Sequence, residues 1–182
     1  MIRTARVEDA KEILQIYSYY VKNTAITFEY DVPIEEEMKE RIKNTLKKYP
    51  YVVNEEKGKV TGYAYAGTFK GRRAYDWSVE ASIYVAKEER RAGTGKRLYQ
   101  ALEEKLALQN IENVYACIAY PIEEDEYLTR DSVWFHEHLG YEMIGHFHKC
   151  AYKFNRWYDM VWMEKHIGLH KKAKPVKAFV KE

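Results

Sequence analysis

The stretch from Ile83 to Leu98, I-Y-V-A-K-E-E-R-R-A-G-T-G-K-R-L, constrains the fold more than any other part of this chain. A β-branched and aromatic run ends in a basic, glycine-spaced turn, and a helical pattern starts directly after it. A strand that hands over to a helix in this way points to a mixed α/β architecture. The turn also carries a chemical implication. Gly93 and Gly95 have no side chains, so the backbone can approach a ligand closely. The first N–H groups of the following helix lack intrahelical partners, and the helix dipole adds to their attraction for anionic oxygens. Strand, turn and helix therefore describe a cradle for a phosphorylated ligand.

Spacing narrows the ligand. A nucleotide P-loop requires G-x-x-x-x-G-K-[ST], but Arg90 stands at the first glycine position and Arg97 replaces the hydroxyl residue that would hold magnesium. The dinucleotide fingerprint G-x-G-x-x-G fails at Leu98, where a third small residue is needed. What remains is R-x-x-G-x-G, Arg90 to Gly95, following a strand that ends in Tyr84-Val85-Ala86.

Along the chain, Ile2 to Ala5 is short and extended, and Val7 to Val21 places Ala10, Ile13, Leu14, Tyr17 and Val21 at helical spacing. Pro33 opens a second helix with Ile34, Met38, Ile42 and Leu46 along one face. Tyr51 to Glu55 and Lys59 to Thr68 read as strands joined by a tight turn at Glu56-Lys57-Gly58, and Trp77 to Ala86 reads as a third long strand. Gly95 to Gln109 carries a helical stripe of Leu98, Ala101, Leu102, Leu106 and Leu108. Asn113 to Ala119 is a strand and Asp131 to Leu139 a helix capped by Gly140. Tyr141 to His148 and Tyr152 to Glu164 then form a closing pair of strands. The order β-α-α-β-β-β-α-β-α-β-β predicts a mixed, mostly antiparallel sheet of about seven strands flanked by about four helices. A single domain is expected over residues 1–167, with a lysine-rich, mobile or surface-docked tail over 168–182.

With 182 residues, 46% apolar and 32% charged, and a formal charge of +2, the chain suits one globular domain. No apolar run approaches the ~18 residues of a membrane span, and no membrane partner is expected. The opening Met1-Ile2-Arg3-Thr4 runs straight into patterned sequence, from which a cytoplasmic location is expected. Cys117 and Cys150 stand in unlike contexts without C-x-x-C spacing, so neither a disulfide framework nor a metal site is expected, and both read as small core residues.

The motif Arg90–Gly95 resembles the pyrophosphate-binding turn of the GCN5-related N-acetyltransferases, and the element order is also theirs. F-K-G-R-R-A-Y-D-W-S-V-E-A-S-I-Y-V (Phe69 to Val85) and F-H-E-H-L-G-Y (Phe135 to Tyr141) are similar to the phosphinothricin acetyltransferase branch. The resemblance extends from Ile2 to about Glu164. It implies acetyl-CoA as co-substrate and an acceptor that is an α-amino acid with a phosphinate or tetrahedral sulfur group, of the phosphinothricin or methionine sulfoximine and sulfone type. It also implies a homodimer.

Acetyl transfer to an amine needs a held thioester, a neutral amine and a proton for the departing thiolate. The turn Arg90, Arg91, Ala92, Gly93, Thr94, Gly95, Lys96 offers backbone donors and cationic side chains to a pyrophosphate. Tyr84, Val85 and Ala86 are expected to pair their backbone with the pantetheine arm. Strand alternation puts Glu80 on the face of Ser78, Ser82 and Tyr84, opposite Val79, Ala81 and Ile83. A mid-strand carboxylate belongs either to a solvated face or to a cavity wall, and the resemblance makes Glu80 the base. His136 stands where many relatives place a tyrosine that protonates the thiolate. Alternatively, it is only a surface histidine suited to a helix C-terminus.

Phe69, Lys70, Arg72, Arg73 and Tyr75 form a loop that is either a solvated basic turn or a grip on an acidic acceptor. Relatives carry an asparagine three residues before the serine of N-x-x-S, with a role in cofactor contact. Here Thr129 precedes Ser132 at that distance, so the resemblance implies a cofactor contact from Thr129, through its hydroxyl, and Ser132, and the loop is lengthened by Glu123-Glu124-Asp125-Glu126. Direct attack in a ternary complex suffices, without an acetylated Cys117. Tyr75, Trp134, Trp157 and Trp162 are expected in the core or a dimer contact. The alternatives are a peptide or polyamine acetyltransferase, or a non-catalytic acyl-CoA-binding module; no nucleic-acid partner is expected for the lysine tail.

Overall fold

The computed structural model describes residues 1–90 and 92–180. Among these, seven strands and four α-helices follow in the order β1 (Ile2–Thr4), α1 (Ala10–Asn23), α2 (Glu35–Thr45), β2 (Tyr51–Glu56), β3 (Lys59–Thr68), β4 (Ser78–Val85), α3 (Thr94–Leu108), β5 (Asn113–Tyr120), α4 (Asp131–His138), β6 (Glu142–Lys153) and β7 (Arg156–His166). The strands form one sheet in the order β1-β2-β3-β4-β5-β7-β6. Only β4 and β5 are parallel, and they pair over just three residues, Ser78–Glu80 against Asn113–Tyr115. Beyond Glu80 the two strands part, opening a cleft in the middle of the sheet.

Period-2 alternation divides the core. Val52, Ala64, Val79 and Ala81 face α3 and its buried Leu98, Leu102 and Leu106. Tyr51, Val53 and Tyr63 face α1 and α2 through Ile13, Tyr17, Met38 and Ile42. Each fully buried aliphatic side chain of this kind contributes roughly 1.5–3 kcal/mol. Ile34 and Leu108, expected within the helical stripes, are instead exposed at 69% each. Ile34 is the residue before the first turn of α2, and Leu108 lies outside the stripe of Leu98, Leu102 and Leu106.

The closing hairpin also departs from the expectation of a turn at residues 149–151. Lys149 does have a left-handed φ of 47°, but it belongs to a bulge within β6. The turn is Phe154-Asn155, whose φ values of 52° and 58° suit the mirror-image turns that match strand twist. The C-terminal segment docks on the surface: Trp77 Nε1 donates to the Lys174 carbonyl at 2.6 Å and Asn110 Nδ2 to that of Pro175 at 2.8 Å. Among the described residues no helix is long and apolar enough to cross a membrane.

Candidate active site

The cleft between β4 and β5 is lined by Ser82, Tyr84, Tyr99, Cys117, Ser132 and His136, among others. One edge of β4 is paired with β3 along its whole length, from Val79 to Val85. The Ala86 N–H donates to Thr61 on that side. Alternation then turns the backbone groups of Ala81, Ile83 and Val85 toward the cleft, and those of Tyr84 and Ala86 toward β3. The backbone pairing expected for Tyr84 and Ala86 is thus corrected to their neighbours, because alternate residues of a strand address opposite edges. Ile83 is a position that sequence reasoning missed. The Val85 carbonyl already accepts the Tyr20 hydroxyl.

The glycine turn leads into α3 with Gly93 at its N-cap in the left-handed region, φ 76°. That conformation is what requires glycine there. Gly95 has a different reason: a Cβ would meet two ring atoms of Phe135 at 3.0 Å, so its bareness lets α3 lie against α4. The Arg97 guanidinium donates to the Ala92 carbonyl at 3.2 Å and to Thr94 Oγ1 at 3.0 Å, fastening the turn to the helix. Lys96 is exposed, and Arg90 lies over the rings of Tyr19 and Tyr20 at 5.8 and 5.2 Å. Arg91 lies outside the described residues. The open edge of β4 and the N-terminus of α3 thus fit an amide-rich arm ending in phosphates.

Glu80 is half-buried on the face predicted, opposite Gly67 on β3 and Tyr115 on β5. Burial raises its pKa, and the Lys70 ammonium pulls it partly back. Phe69 stacks on Tyr115 at 4.2 Å and meets Trp162 edge-on at 5.6 Å, and Lys70 Nζ lies 5.0 Å from the centre of the Phe69 ring. Phe69 and Lys70 are therefore gathered beside the Glu80 strand. Arg72, Arg73 and Tyr75 stand in an exposed turn, with Tyr75 in edge contact with Phe69 at 6.0 Å. Tyr115 and Trp162 complete this aromatic wall, and neither was singled out for the acceptor site because each comes from a strand distant in sequence.

His136 is buried, contrary to the surface alternative, and both ring nitrogens are occupied. Nδ1 lies 2.6 Å from the Ser132 carbonyl, which can only accept, so the ring proton is on Nδ1. Nε2 then accepts from the Tyr99 hydroxyl at 2.9 Å. Burial lowers the His136 pKa to about 4 against the opposing effect of the Ser132 carbonyl, so the ring is neutral at pH 7. A direct donation from His136 is corrected accordingly: neither nitrogen offers a proton to the cleft, whereas Tyr99, held protonated by burial, carries the O–H of the pair. Thr129 is exposed and its hydroxyl accepts from the Asp131 N–H at 3.4 Å.

The cysteines are not core residues: both are exposed. Cys117 opens on the cleft because odd positions of β5 turn away from the α3 core. Its surroundings, desolvation first and then the Glu80 carboxylate, push the thiol up to about 11, which keeps it protonated. Tyr75, Trp134 and Trp157 are likewise exposed, at 42%, 49% and 56%, rather than in the core.

A family model described as an acetyltransferase (GNAT) domain matches residues 2–162. The chain belongs to the GNAT acetyltransferase family. It is 31% identical over 176 residues to a phosphinothricin N-acetyltransferase of Streptomyces viridochromogenes, covering 97% of this chain and 92% of that one. An L-methionine sulfoximine/L-methionine sulfone acetyltransferase of Pseudomonas aeruginosa is 31% identical over 166 residues, covering 90% and 92%. The structure of a phosphinothricin acetyltransferase from Sinorhizobium meliloti in complex with acetyl-CoA superposes with a TM-score of 0.86 at 34% identity, over 97% of this chain and 93% of that chain. This GNAT acetyltransferase is an enzyme with acetyl-CoA as its co-substrate. Its cleft between diverging parallel strands, next to a glycine turn, suits that donor.

Proposed function

We propose that this acetyltransferase acetylates the α-amino group of a small amino acid bearing a phosphinate or tetrahedral sulfur group, by direct attack within a ternary complex. The single observation that carries the reading is a half-buried carboxylate, Glu80, at the point where β4 and β5 part. The thioester supplies an activated acyl group. Arg90, Lys96 and the backbone of Gly93 to Lys96 hold its phosphates, and the β4 edge at Ile83 and Val85 aligns its arm. Glu80, with a pKa raised by burial, takes the ammonium proton from the acceptor and frees its lone pair. The Tyr99 hydroxyl lines the cleft; to donate toward the departing sulfur its one O–H turns away from His136 Nε2, and the second proton shed by the attacking amine balances the thiolate. Lys70, with Arg72 and Arg73 on the same loop, meets an anionic head group, and Phe69, Tyr115 and Trp162 flank the aliphatic part.

The names of the two curated relatives support this acceptor class, since both act on compact amino acids with a tetrahedral phosphorus or sulfur centre. The test is release of free thiol from acetyl-CoA in the presence of phosphinothricin, methionine sulfoximine, methionine sulfone or a polyamine. Turnover with the first three and none with the polyamine is expected; turnover with the polyamine alone contradicts the assignment.

The assembly is a homodimer in this reading. Edge strand β6 exposes Met143, Ile144 and Phe147 at 43%, 49% and 50%, and an uncovered apolar edge of this kind favours a second copy. Light scattering on the purified protein tests it, a monomer at micromolar concentration being the contrary result.

A further inference from the structure

The β6–β7 hairpin carries a side-chain cluster that acetyl transfer does not use. From Phe147 to Ala151, β6 advances four residues while β7 advances only two, from Met160 to Tyr158. His148, Lys149 and Cys150 therefore curl around the single residue Asp159, and Lys149 takes a left-handed φ of 47° to make the curl. The curl brings both neighbouring imidazoles to one carboxylate. His146 Nε2 lies 2.7 Å and His148 Nδ1 3.2 Å from Asp159 Oδ2. The Lys149 N–H donates to the other oxygen, Oδ1, at 2.7 Å.

We infer that His146, His148 and Asp159 form a binding site for a divalent transition-metal ion of the zinc class. Three ligand atoms, one from each residue, lie within 4.8 Å of one another. Around an ion with bonds of about 2.0–2.2 Å, tetrahedral donors stand roughly 3.3–3.5 Å apart, a spacing that small side-chain adjustments reach from the distances observed. Two imidazoles and one carboxylate are a donor set for zinc and its neighbours, not for calcium or magnesium, which take oxygen donors. The pieces a metal site needs around its ligands are present. Asp159 is fixed from behind by a backbone N–H, its side chain is only 5% exposed, and the Tyr120 ring walls the His146 imidazole at 5.2 Å. His148, 75% exposed, leaves the fourth position facing water. The cluster lies on the helix-bearing face of the hairpin, where His146 pairs with the core residue Val161, whereas Phe147 points to the opposite face. The site therefore lies apart from the side chains that line the acetyl-transfer cleft, on the same edge strand as the proposed dimer contact but on the face away from Phe147. It departs from the expectation, drawn from the cysteines, that the chain has no metal site.

The test uses full-length protein without a histidine tag, stripped with a chelator and dialysed. Titration with Co2+ followed by visible absorption, and with Zn2+ followed by calorimetry, is expected to show one ion per chain and a rise in Tm. His148→Ala, at an exposed position that leaves the fold intact, is expected to weaken binding more than about tenfold. His146→Ala has the same expected effect, and His170→Ala, in the C-terminal segment, leaves affinity unchanged. A Kd weaker than about 1 mM for both ions overturns the inference. So does binding that survives both His146→Ala and His148→Ala, or that is lost in His170→Ala.

Discussion

The Tyr99 hydroxyl donates to His136 Nε2 across 2.9 Å, joining α3 to α4 at the wall of the catalytic cleft. Tyr99→Phe leaves a buried ring nitrogen without its donor, which costs about 1–3 kcal/mol of stability. Urea unfolding reads that loss. Steady-state kinetics is expected to show a lower kcat with KM for acetyl-CoA little changed, because the hydroxyl acts on the departing sulfur and not on the phosphates.

His136 also makes the enzyme acid-labile in a defined window. Its folded pKa is about 4, against about 6.5 in an unfolded chain. Above pH 6.5 both states hold it neutral and it adds no pH dependence. As pH falls from 6.5 to 4 the unfolded chain takes up a proton that the folded one refuses, and stability drops by up to about 3 kcal/mol. Thermal melts of His136→Gln across this window are expected to fall less steeply than those of the parent; parallel curves contradict the assignment.

Glu80 has the opposite linkage to an ordinary salt-bridged carboxylate. Because its folded pKa is raised, the unfolded chain ionises first as pH increases, and the folded state loses relative stability through that range. Glu80→Gln removes this cost. The variant is expected to melt at or above the parent temperature at pH 7 even though it loses activity, and a lower Tm at pH 7 speaks against a desolvated carboxylate.

The two turn glycines fail in different ways when replaced. Gly93→Ala forces a left-handed residue with a side chain, at about 1–2 kcal/mol, while the added methyl meets Arg97 Nη1 in ordinary contact at 3.6 Å. Gly95→Ala drives a methyl group against Phe135, an overpacking cost of about 1–3 kcal/mol. Phe135→Leu is expected to restore part of the stability in the Gly95→Ala background and none in the Gly93→Ala background, measured by chemical denaturation.

Much of the fold was legible because its elements announce themselves locally. The alternation of Val79, Ala81 and Ile83 against Glu80 and Ser82 separates the two sheet faces, and the stripe of Leu98, Leu102 and Leu106 marks α3. The hairpin turn was not legible, since Lys149 and the residues around it look like a turn while serving a bulge set by Asp159, ten residues further on. The site divides the same way. The glycine turn and Glu80 lie on one continuous strand–turn–helix segment, so their neighbourhood follows from order alone. Tyr99, Tyr115 and Trp162 come from α3, β5 and β7, and only the sheet order brings them to the cleft. The partner of His136 Nε2 is likewise remote: Tyr99 stands 37 residues away in sequence.

The central claim is that Glu80 removes the proton from the acceptor amine. Thiol release from acetyl-CoA with phosphinothricin or methionine sulfone, followed across pH for the parent and Glu80→Gln, tests it most directly. The expected result is a loss of kcat by about 10²–10⁴ in the variant, with acetyl-CoA affinity retained. In the parent, the acidic limb of kcat/KM is expected to lie above the ordinary range of a glutamate. A Glu80→Gln enzyme that turns over at the parent rate, with an unchanged pH profile, contradicts the account.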